Sequence, residues 1–216
     1  MTSLNLVTLI VIAANVIISL KGFNDYSFFE KYKFNTSAIR NNELIRMLSS
    51  GFLHVDMTHL FFNMFTLFIF AGVVAGRLGT VPFIVIYFAS LLAGNMLSYT
   101  FHKDEPNYNA VGASGAVTGI VYSSILLYPD MSLYLFFIPI PIPAWIFGIL
   151  YLLYSIYGMK RQLGNIGHDA HFGGAVAGYL VTLALVPSLI NTHLWVVVLL
   201  AVPIVLLFVL QKLGKL

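Results

Sequence analysis

The chain has 216 residues, of which 59% are hydrophobic and only 9% are charged, and its mean hydropathy is +0.90. A soluble domain usually carries about 25% charged residues, so this composition predicts a membrane protein. The net charge of +3 is the difference between 11 Lys and Arg and 8 Asp and Glu residues. The basic residues form no run or face, which excludes nucleic acid as a partner. With no cysteine, disulfides, thiolate metal sites and cysteine nucleophiles are excluded as well.

The chain contains seven apolar runs, each of which we interpret as a membrane helix because backbone exposed to lipid must satisfy its own hydrogen bonds. No basic n-region precedes the first run, so we expect it to be retained rather than cleaved as a signal peptide. The fourth and fifth runs are short for a hydrocarbon core of about 30 Å, so we expect them to begin below the membrane surface. The runs are Leu4–Leu20, Leu60–Ala75, Val81–Phe101, Ala113–Tyr128, Ala144–Tyr157, Ala170–Leu189 and His193–Leu210. The predicted fold class is an all-α polytopic membrane protein.

Two loops differ from ordinary connections. The first, residues 22–56, mixes charges of both signs with several aromatic residues, a composition typical of the headgroup zone of a membrane. The second, Met131–Pro143, is almost wholly apolar but has proline at positions 139, 141 and 143. Because proline lacks a backbone N–H, we predict that this segment is not a regular helix.

Polar residues interrupt three of the apolar runs. His54, His59 and Asn63 lie at the head of one run, and His59 and Asn63 share a helix face because they are four residues apart. Polar groups in hydrocarbon are costly and are therefore candidates for function. Two interpretations stay open for this pair: hydrogen bonds that hold helices together, or donors to the negative charge that develops on a substrate carbonyl oxygen.

Ser114 lies in the sequence Gly112-Ala113-Ser114-Gly115. A serine in a membrane helix most often bonds a carbonyl of its own helix, so taken alone it is weak evidence for catalysis. The two glycines, however, leave space for a substrate backbone, and we predict a loop over Asn107–Val111. Ser114 would then lie near a helix N-terminus, where free N–H groups favour an oxyanion.

His171 shares a helix face with Gly174 and Gly178. Small residues at this spacing allow helices to approach closely, and Gly115 and Gly119 offer the same spacing beside Ser114. Such packing could bring Ser114 within hydrogen-bonding reach of His171, as general-base activation requires. The other interpretation of His171 is a buried neutral histidine that bonds a neighbouring helix.

A Ser–His dyad is a more economical catalytic proposal than a triad that includes Asp169. Asp169 is two residues from His171 and projects to another helix face, so we do not expect it to orient the histidine. The chain has no His-Glu-x-x-His sequence and only eight carboxylates, which argues against a zinc or aspartyl protease. The remaining possibilities are a serine hydrolase and a protein without catalytic activity.

In order along the chain, His54-x4-His59-x3-Asn63, then Gly112-Ala113-Ser114-Gly115, then Ala170-His171-x2-Gly174-x3-Gly178 resemble the rhomboid family of intramembrane serine proteases. The resemblance extends from about Arg46 to Gly178. It implies that Ser114 is the nucleophile and His171 the general base. It also implies that His59, Asn63 and backbone N–H of the Ser114 region form the oxyanion hole, without a metal or other cofactor.

The resemblance also gives roles to two further residues, and two positions differ from the family pattern. His54 matches a structural histidine of the first loop, and Arg46 matches the arginine of a Trp-Arg pair in which Ile45 replaces the tryptophan. Thr118 stands where the family commonly has an aromatic ring near the catalytic histidine. The resemblance also implies a six-plus-one arrangement, with a six-helix catalytic core over residues 1–189 and a seventh helix within residues 190–216.

By resemblance, the protein would cleave transmembrane protein substrates in the bilayer of the cell membrane, with its active site on the non-cytoplasmic side. The distribution of Lys and Arg predicts the opposite orientation, because it places the first loop in the cytoplasm. Two alternatives are a non-catalytic relative that binds transmembrane helices and a transporter with a histidine proton relay. The first usually lacks the serine or histidine, and the second would carry carboxylates and a repeat. The sequence defines neither the natural substrate nor the oligomeric state.

Overall fold

The computed structural model describes residues 6–135, 138–161 and 167–215. Its helices and strands are α1 (Leu6–Asn24), α2 (Tyr26–Tyr32), β1 (Phe34–Asn35), α3 (Thr36–Arg40), α4 (Arg46–Ser49), α5 (Met57–Leu78), α6 (Thr80–His102), β2 (Asn109–Ala110), α7 (Ser114–Leu127), β3 (Ser132–Leu135), β4 (Ile138–Pro143), α8 (Ala144–Arg161), α9 (His168–Leu185), α10 (Leu189–Thr192) and α11 (Leu194–Lys212). A short 3-10 turn, Ser50–Phe52, follows α4.

A helix corresponds to each of the seven apolar runs. Within the described residues, α1, α5, α6 and α11 are long and apolar enough to cross a membrane, which confirms an all-α polytopic membrane protein. Helix α8 covers the fifth run and continues through polar residues to Arg161, so that it has 18 residues. The sixth run ends earlier than predicted, at Leu185, because Pro187 cannot continue a helix and disfavours helical backbone at the residue before it.

The short helix α7 lies at the centre of the bundle. It contacts α5, α6, α8 and α9, and every residue from Gly115 to Leu127 is buried. A helix that is apolar all round is a buried helix. Its 14 residues span about 21 Å, less than the hydrocarbon thickness of about 30 Å, as predicted for the fourth run.

Glycines allow α7 to pack against α9 backbone to backbone. A Cβ added to Gly174 would lie 2.9 Å from the Cα of Gly115 and closer still to its carbonyl oxygen. Gly178 meets Gly119 in the same way, one helical turn further along. This double contact is the small-residue packing that the sequence predicted, and it fixes how far α9 can slide along α7.

The first loop is attached to the segment that precedes Ser114. Strand β1 pairs antiparallel with β2, with Phe34 opposite Ala110 and Asn35 opposite Asn109. The buried Arg46 holds the loop together, because its Nη1 donates to the carbonyl oxygens of Glu30 (2.8 Å) and Lys33 (2.9 Å). Its Nε donates to Glu43 (2.7 Å).

The proline-rich segment forms a hairpin rather than a helix, as its prolines predict. Strand β3 pairs antiparallel with β4, with Ser132 opposite Pro143 and Leu133 opposite Ile142. Prolines at alternate positions of one strand direct their missing N–H groups to the same side, so β4 can still pair along its other edge.

Helix α11 packs against α8 and α9. Trp195 meets Trp145 edge to face with ring centroids 5.6 Å apart, and Leu200 contacts Gly148. The hydroxyl of Tyr179 in α9 donates to the carbonyl oxygen of Val197 at 2.9 Å. Helix α11 is therefore in contact with the central bundle.

Candidate active site

Three helices begin at the same end of the bundle and carry the candidate residues there. His59 is the third residue of α5, Ser114 the first of α7 and His171 the fourth of α9. Since α6 and α8 return the chain to this end each time, the positive ends of three helix dipoles converge near these side chains. This arrangement favours the stabilisation of negative charge.

Ser114 begins α7, as predicted. Its side chain is half-buried, and among the described residues its Oγ has no hydrogen-bond partner. The predicted loop over Asn107–Val111 contains the two-residue strand β2, which the sequence did not predict, and the rest of this segment is irregular. The N–H groups of the first turn of a helix have no partner within that helix, so Ser114 lies beside backbone donors.

Gly112 allows the chain to pass close to His59. Its φ of +135° lies in the region that favours glycine. A Cβ at this position would lie 2.7 Å from Cε1 and 3.0 Å from Nε2 of the His59 ring. The imidazole is therefore packed against the backbone two residues before Ser114, where only glycine fits.

His59 and Asn63 lie one turn apart on α5, as predicted. The Asp56 carboxylate caps this helix by accepting from the backbone N–H of His59 at 2.7 Å. The Nδ1 atom of His59 is buried without a hydrogen-bond partner among the described residues. The buried Asn63 donates from Nδ2 to the carbonyl oxygen of His59 at 3.0 Å, which uses one of its two amide hydrogens.

His54 links α1 to the residue before Ser114. The Ser19 hydroxyl donates to the carbonyl oxygen of Phe52 (3.0 Å), so its lone pair accepts from His54 Nδ1 (2.8 Å). His54 Nε2 then accepts from the backbone N–H of Ala113 at 3.4 Å. Burial, together with the nearby His59, lowers the pKa of His54 to about 3. A neutral ring that uses both nitrogens is suited to support, the role implied for His54.

His171 lies one turn before Gly174, on the helix that contacts α7. The contact of Gly174 with Gly115 brings His171 and Ser114 to neighbouring positions on adjoining helices. In the described structure no hydrogen bond joins Ser114 to His171, so the hydrogen bond expected of the pair is not formed. Catalytic hydrogen bonds are often long without substrate and shorten when the substrate complex forms.

Tyr151 of α8 lies beside His171, a contact that the sequence did not predict. The two rings are nearly parallel, with an interplanar angle of 24° and centroids 5.9 Å apart. The hydroxyl of Tyr151 is 2.8 Å from Nδ1 of His171 and 3.5 Å from Oγ1 of Thr118. An aromatic ring therefore does lie beside His171, although Thr118 replaces the aromatic residue common in the family.

Asp169 faces away from His171, as its place on the helix predicts. Its Oδ2 is 3.4 Å from Nε2 of His102, at the end of α6. His102 stacks on Tyr108 with ring centroids 3.7 Å apart, and its Nδ1 is 3.0 Å from Glu105. This cluster attaches the start of α9 to the segment between α6 and β2.

Asn95 of α6 attaches this helix to the first loop, because its Nδ2 donates to the carbonyl oxygen of Met47 (2.7 Å) and to Ser50 Oγ (3.1 Å). Across the described residues, no group of three or more His, Asp or Glu side chains could hold a metal ion.

Fold and site together define a polytopic helical membrane protein with serine, histidine and asparagine side chains gathered at one end of its bundle. The family model described as Rhomboid domain matches residues 41–188, more than half of the chain. The chain belongs to the rhomboid family.

Curated relatives include proteins named as proteases and mitochondrial proteins. The chain is 31% identical over 147 residues to the putative rhomboid protease YdcA of Bacillus subtilis, covering 67% of this chain and 68% of that protein. It is 28% identical over 182 residues to the mitochondrial RHOMBOID-like protein 12 of Arabidopsis thaliana, covering 77% of this chain and 54% of the relative. It is 30% identical over 139 residues to the mitochondrial rhomboid protein 1 of Saccharomyces cerevisiae, covering 63% of this chain and 40% of the relative. The chain thus spans about half the length of these two mitochondrial relatives.

Proposed function

We propose that this chain is an intramembrane serine endopeptidase that cleaves transmembrane helices with a Ser114–His171 dyad. The observation that carries the proposal is the contact between Gly115 and Gly174, which brings the two helix starts together. Each reacting residue lies just N-terminal to that contact. Membership of the rhomboid family and relatives named as proteases support the same function.

In the first half of the reaction, Ser114 Oγ attacks the scissile carbonyl carbon while His171 takes the serine proton. The oxyanion that forms accepts hydrogen bonds from His59, from the unused amide hydrogen of Asn63 and from backbone N–H at the start of α7. When the tetrahedral intermediate collapses, the C–N bond breaks and His171 returns the proton to the leaving amine. The substrate's N-terminal fragment is then an ester of Ser114.

In the second half, water attacks the ester carbonyl carbon and His171 takes its proton. Collapse of the second tetrahedral intermediate breaks the ester bond, and His171 returns the proton to Ser114. The cycle consumes one water molecule and leaves the protein unchanged, so it requires no cofactor. Because α7 begins inside the bundle, this end must admit both water and an unwound substrate segment.

The test is cleavage of a transmembrane substrate in detergent by the wild type and by Ser114→Ala and His171→Ala, with fluorophosphonate labelling of the serine. Ser124→Ala is the matched control, because Ser124 lies on the same helix and bonds the carbonyl oxygen of Ile120. We expect both active-site variants to lose cleavage and the control to keep it. Cleavage by Ser114→Ala would exclude the dyad. A folded wild type that binds the substrate but neither cleaves nor labels would favour a non-catalytic helix-binding relative.

We also propose that the chain resides in the cell membrane as a catalytic core of residues 1–189 followed by a seventh membrane helix within 190–216. The family match, which ends at residue 188, supports this division. We place the active site on the non-cytoplasmic side, as the resemblance implies and against the charge distribution. Because two relatives are mitochondrial proteins, direct localisation of the protein is the test of which membrane it occupies.

Orientation can be measured cleanly because the chain has no cysteine. Asn41→Cys and Asp130→Cys place single thiols at exposed positions at opposite ends of the bundle. We expect a membrane-impermeant maleimide to label Asn41→Cys in intact cells and Asp130→Cys only after the membrane is opened. The reverse pattern would place the active site in the cytoplasm.

A further inference from the structure

Tyr151 connects α7 to α9 through polar contacts with Thr118 and His171. The Thr118 hydroxyl is 2.7 Å from the carbonyl oxygen of Ser114, and a carbonyl can only accept. The single hydrogen of Thr118 is therefore committed to that bond. Towards Tyr151 it can offer only a lone pair.

In the contact between Thr118 and Tyr151 only the tyrosine can donate, although at 3.5 Å the contact is longer than an ordinary O–H···O bond. With its hydrogen on this side, the tyrosine oxygen has lone pairs available for His171. At 2.8 Å, His171 Nδ1 then donates to the tyrosine oxygen. In a neutral imidazole with hydrogen on Nδ1, Nε2 carries a lone pair. This is the tautomer that a base needs if it takes the Ser114 proton through Nε2.

We propose that Tyr151 is a positioning residue, which holds His171 in the tautomer with hydrogen on Nδ1 and fixes the orientation of its ring. The inference rests on the proposed serine protease function and adds to it a residue of α8. Tyr151 does not touch the substrate or the reacting atoms. It acts through His171, by a hydrogen bond and a near-parallel ring contact.

The position of Tyr151 is itself well supported. Two turns before it, Trp145 meets Trp195 of α11, and Gly148 contacts Leu200 of the same helix. The small side chain of Thr118 leaves the space beside His171 to a ring from α8. Packing between α8 and α11 thus determines where the partner of His171 lies.

The first test compares the steady-state kinetics of Tyr151→Phe with those of the wild type. This change keeps the ring and removes only the hydroxyl, so we expect kcat to fall about 10-fold with KM unchanged. Tyr179→Phe is the matched control, since it also removes a buried tyrosine hydroxyl bond, to Val197, away from the site. We expect the control to keep its kcat.

Thr118→Val tests the chain of hydrogen bonds. We expect a smaller loss of kcat than in Tyr151→Phe, because Thr118→Val removes the bond to the Ser114 carbonyl oxygen and the contact that orients the tyrosine hydroxyl but leaves the bond between Tyr151 and His171 in place. Combined with Tyr151→Phe, it should cause little further loss, since both changes break the same chain. Additive losses would contradict the assigned directions.

The second test does not depend on activity. ¹⁵N-histidine spectra of the protein in detergent micelles report which ring nitrogen carries hydrogen, and the His171 signals are assigned by their absence from His171→Gln. We expect the Nδ1–H tautomer in the wild type and a mixture of tautomers in Tyr151→Phe. A role in packing alone would leave the tautomer unchanged.

The outcomes separate this inference from the proposed function. If the wild type cleaves and Ser114→Ala does not, while Tyr151→Phe keeps the kcat and the tautomer of the wild type, Tyr151 has no positioning role although the protease function stands. If the folded wild type neither cleaves nor labels, the function fails. An Nε2–H tautomer in the wild type overturns the inference in either case.

Discussion

Gly174 of α9 lies against Gly115 of α7 so closely that a Cβ on Gly174 would overlap the carbonyl oxygen of Gly115. No flexible side chain stands between the two backbones, so the contact cannot relax by a change of rotamer. The distance between the helix that carries the proposed nucleophile and the helix that carries the proposed base therefore depends on a missing methyl group.

We expect Gly174→Ala to separate α7 from α9, lowering the free energy of unfolding by about 2–3 kcal/mol and cleavage by at least about 100-fold. Thermal unfolding in detergent and substrate cleavage measure these effects. Gly167→Ala is the matched control, because a Cβ there makes only ordinary contacts, at 3.6 Å with Ala170 and 3.9 Å with Asp169. Wild-type activity in Gly174→Ala would show that the close contact is not required.

Gly112→Ala should reduce both stability and cleavage. The new methyl group would meet the His59 ring, and the φ of +135° is unfavourable for alanine. Gly79→Ala isolates the backbone effect, since Gly79 also has a positive φ, +91°, but nothing within 4 Å of an added Cβ. We expect each variant to lose about 1–3 kcal/mol of stability, and only Gly112→Ala to lose cleavage. Equal activity in the two variants would argue against a role for the contact with His59.

Asn63→Ala should lower kcat about 100-fold with little change in KM, because a donor to the oxyanion acts mainly in the transition state. Asn24→Ala is a suitable control, because Asn24 also donates to the carbonyl four residues earlier in its own helix, at 2.7 Å. If the two variants have the same kcat, the amide of Asn63 serves its helix rather than the reaction.

Arg46→Ala should loosen the first loop, because two backbone carbonyls and Glu43 lose a partly buried charged donor. We expect a loss of about 2–4 kcal/mol in the free energy of unfolding and faster proteolysis within residues 22–56. Arg46→Lys should recover part of the stability, since a single ammonium group cannot reproduce the planar fork. The exposed Arg40 provides the control variant Arg40→Ala, which should have no effect.

The stability supplied by His54 should depend on pH. Its pKa is about 3 in the folded protein and ordinarily 6.5. The folded state therefore disfavours protonation, so this stability is complete above pH 6.5 and is lost as the pH falls towards 3. We expect His54→Asn, which does not titrate, to be about 1–3 kcal/mol less stable than the wild type at pH 7.5. The difference should narrow at pH 4.5, and a constant difference in thermal unfolding would contradict the assignment.

The sequence was sufficient to predict the helices and the three helix starts because both depend on local signals. Hydrophobic runs define the spans, and Ser114 begins its helix directly after the glycine and loop residues that precede it. Small residues four apart, such as Gly115 with Gly119 and Gly174 with Gly178, indicated the contact between α7 and α9. These patterns carry most of the site.

The partner of His171 could not be predicted in the same way. Tyr151 is one of three tyrosines on α8, with Tyr154 and Tyr157, and spacing alone does not tell which of them faces α9. The pairing of β1 with β2 was also missed, because two-residue strands have no periodicity to detect. Contacts between distant segments depend on packing, and a single sequence records packing only indirectly.

The enclosure of α7 has a consequence for how the protein is made. A segment of 14 residues is shorter than the membrane core, so by itself it is too short to span the bilayer as a helix. The helix whose glycines hold it, α9, emerges from the ribosome later. We therefore expect α7 to reach its final depth in the bundle only after α9 has been synthesised. Assembly of the bundle, rather than insertion of each helix, is the step that completes the site.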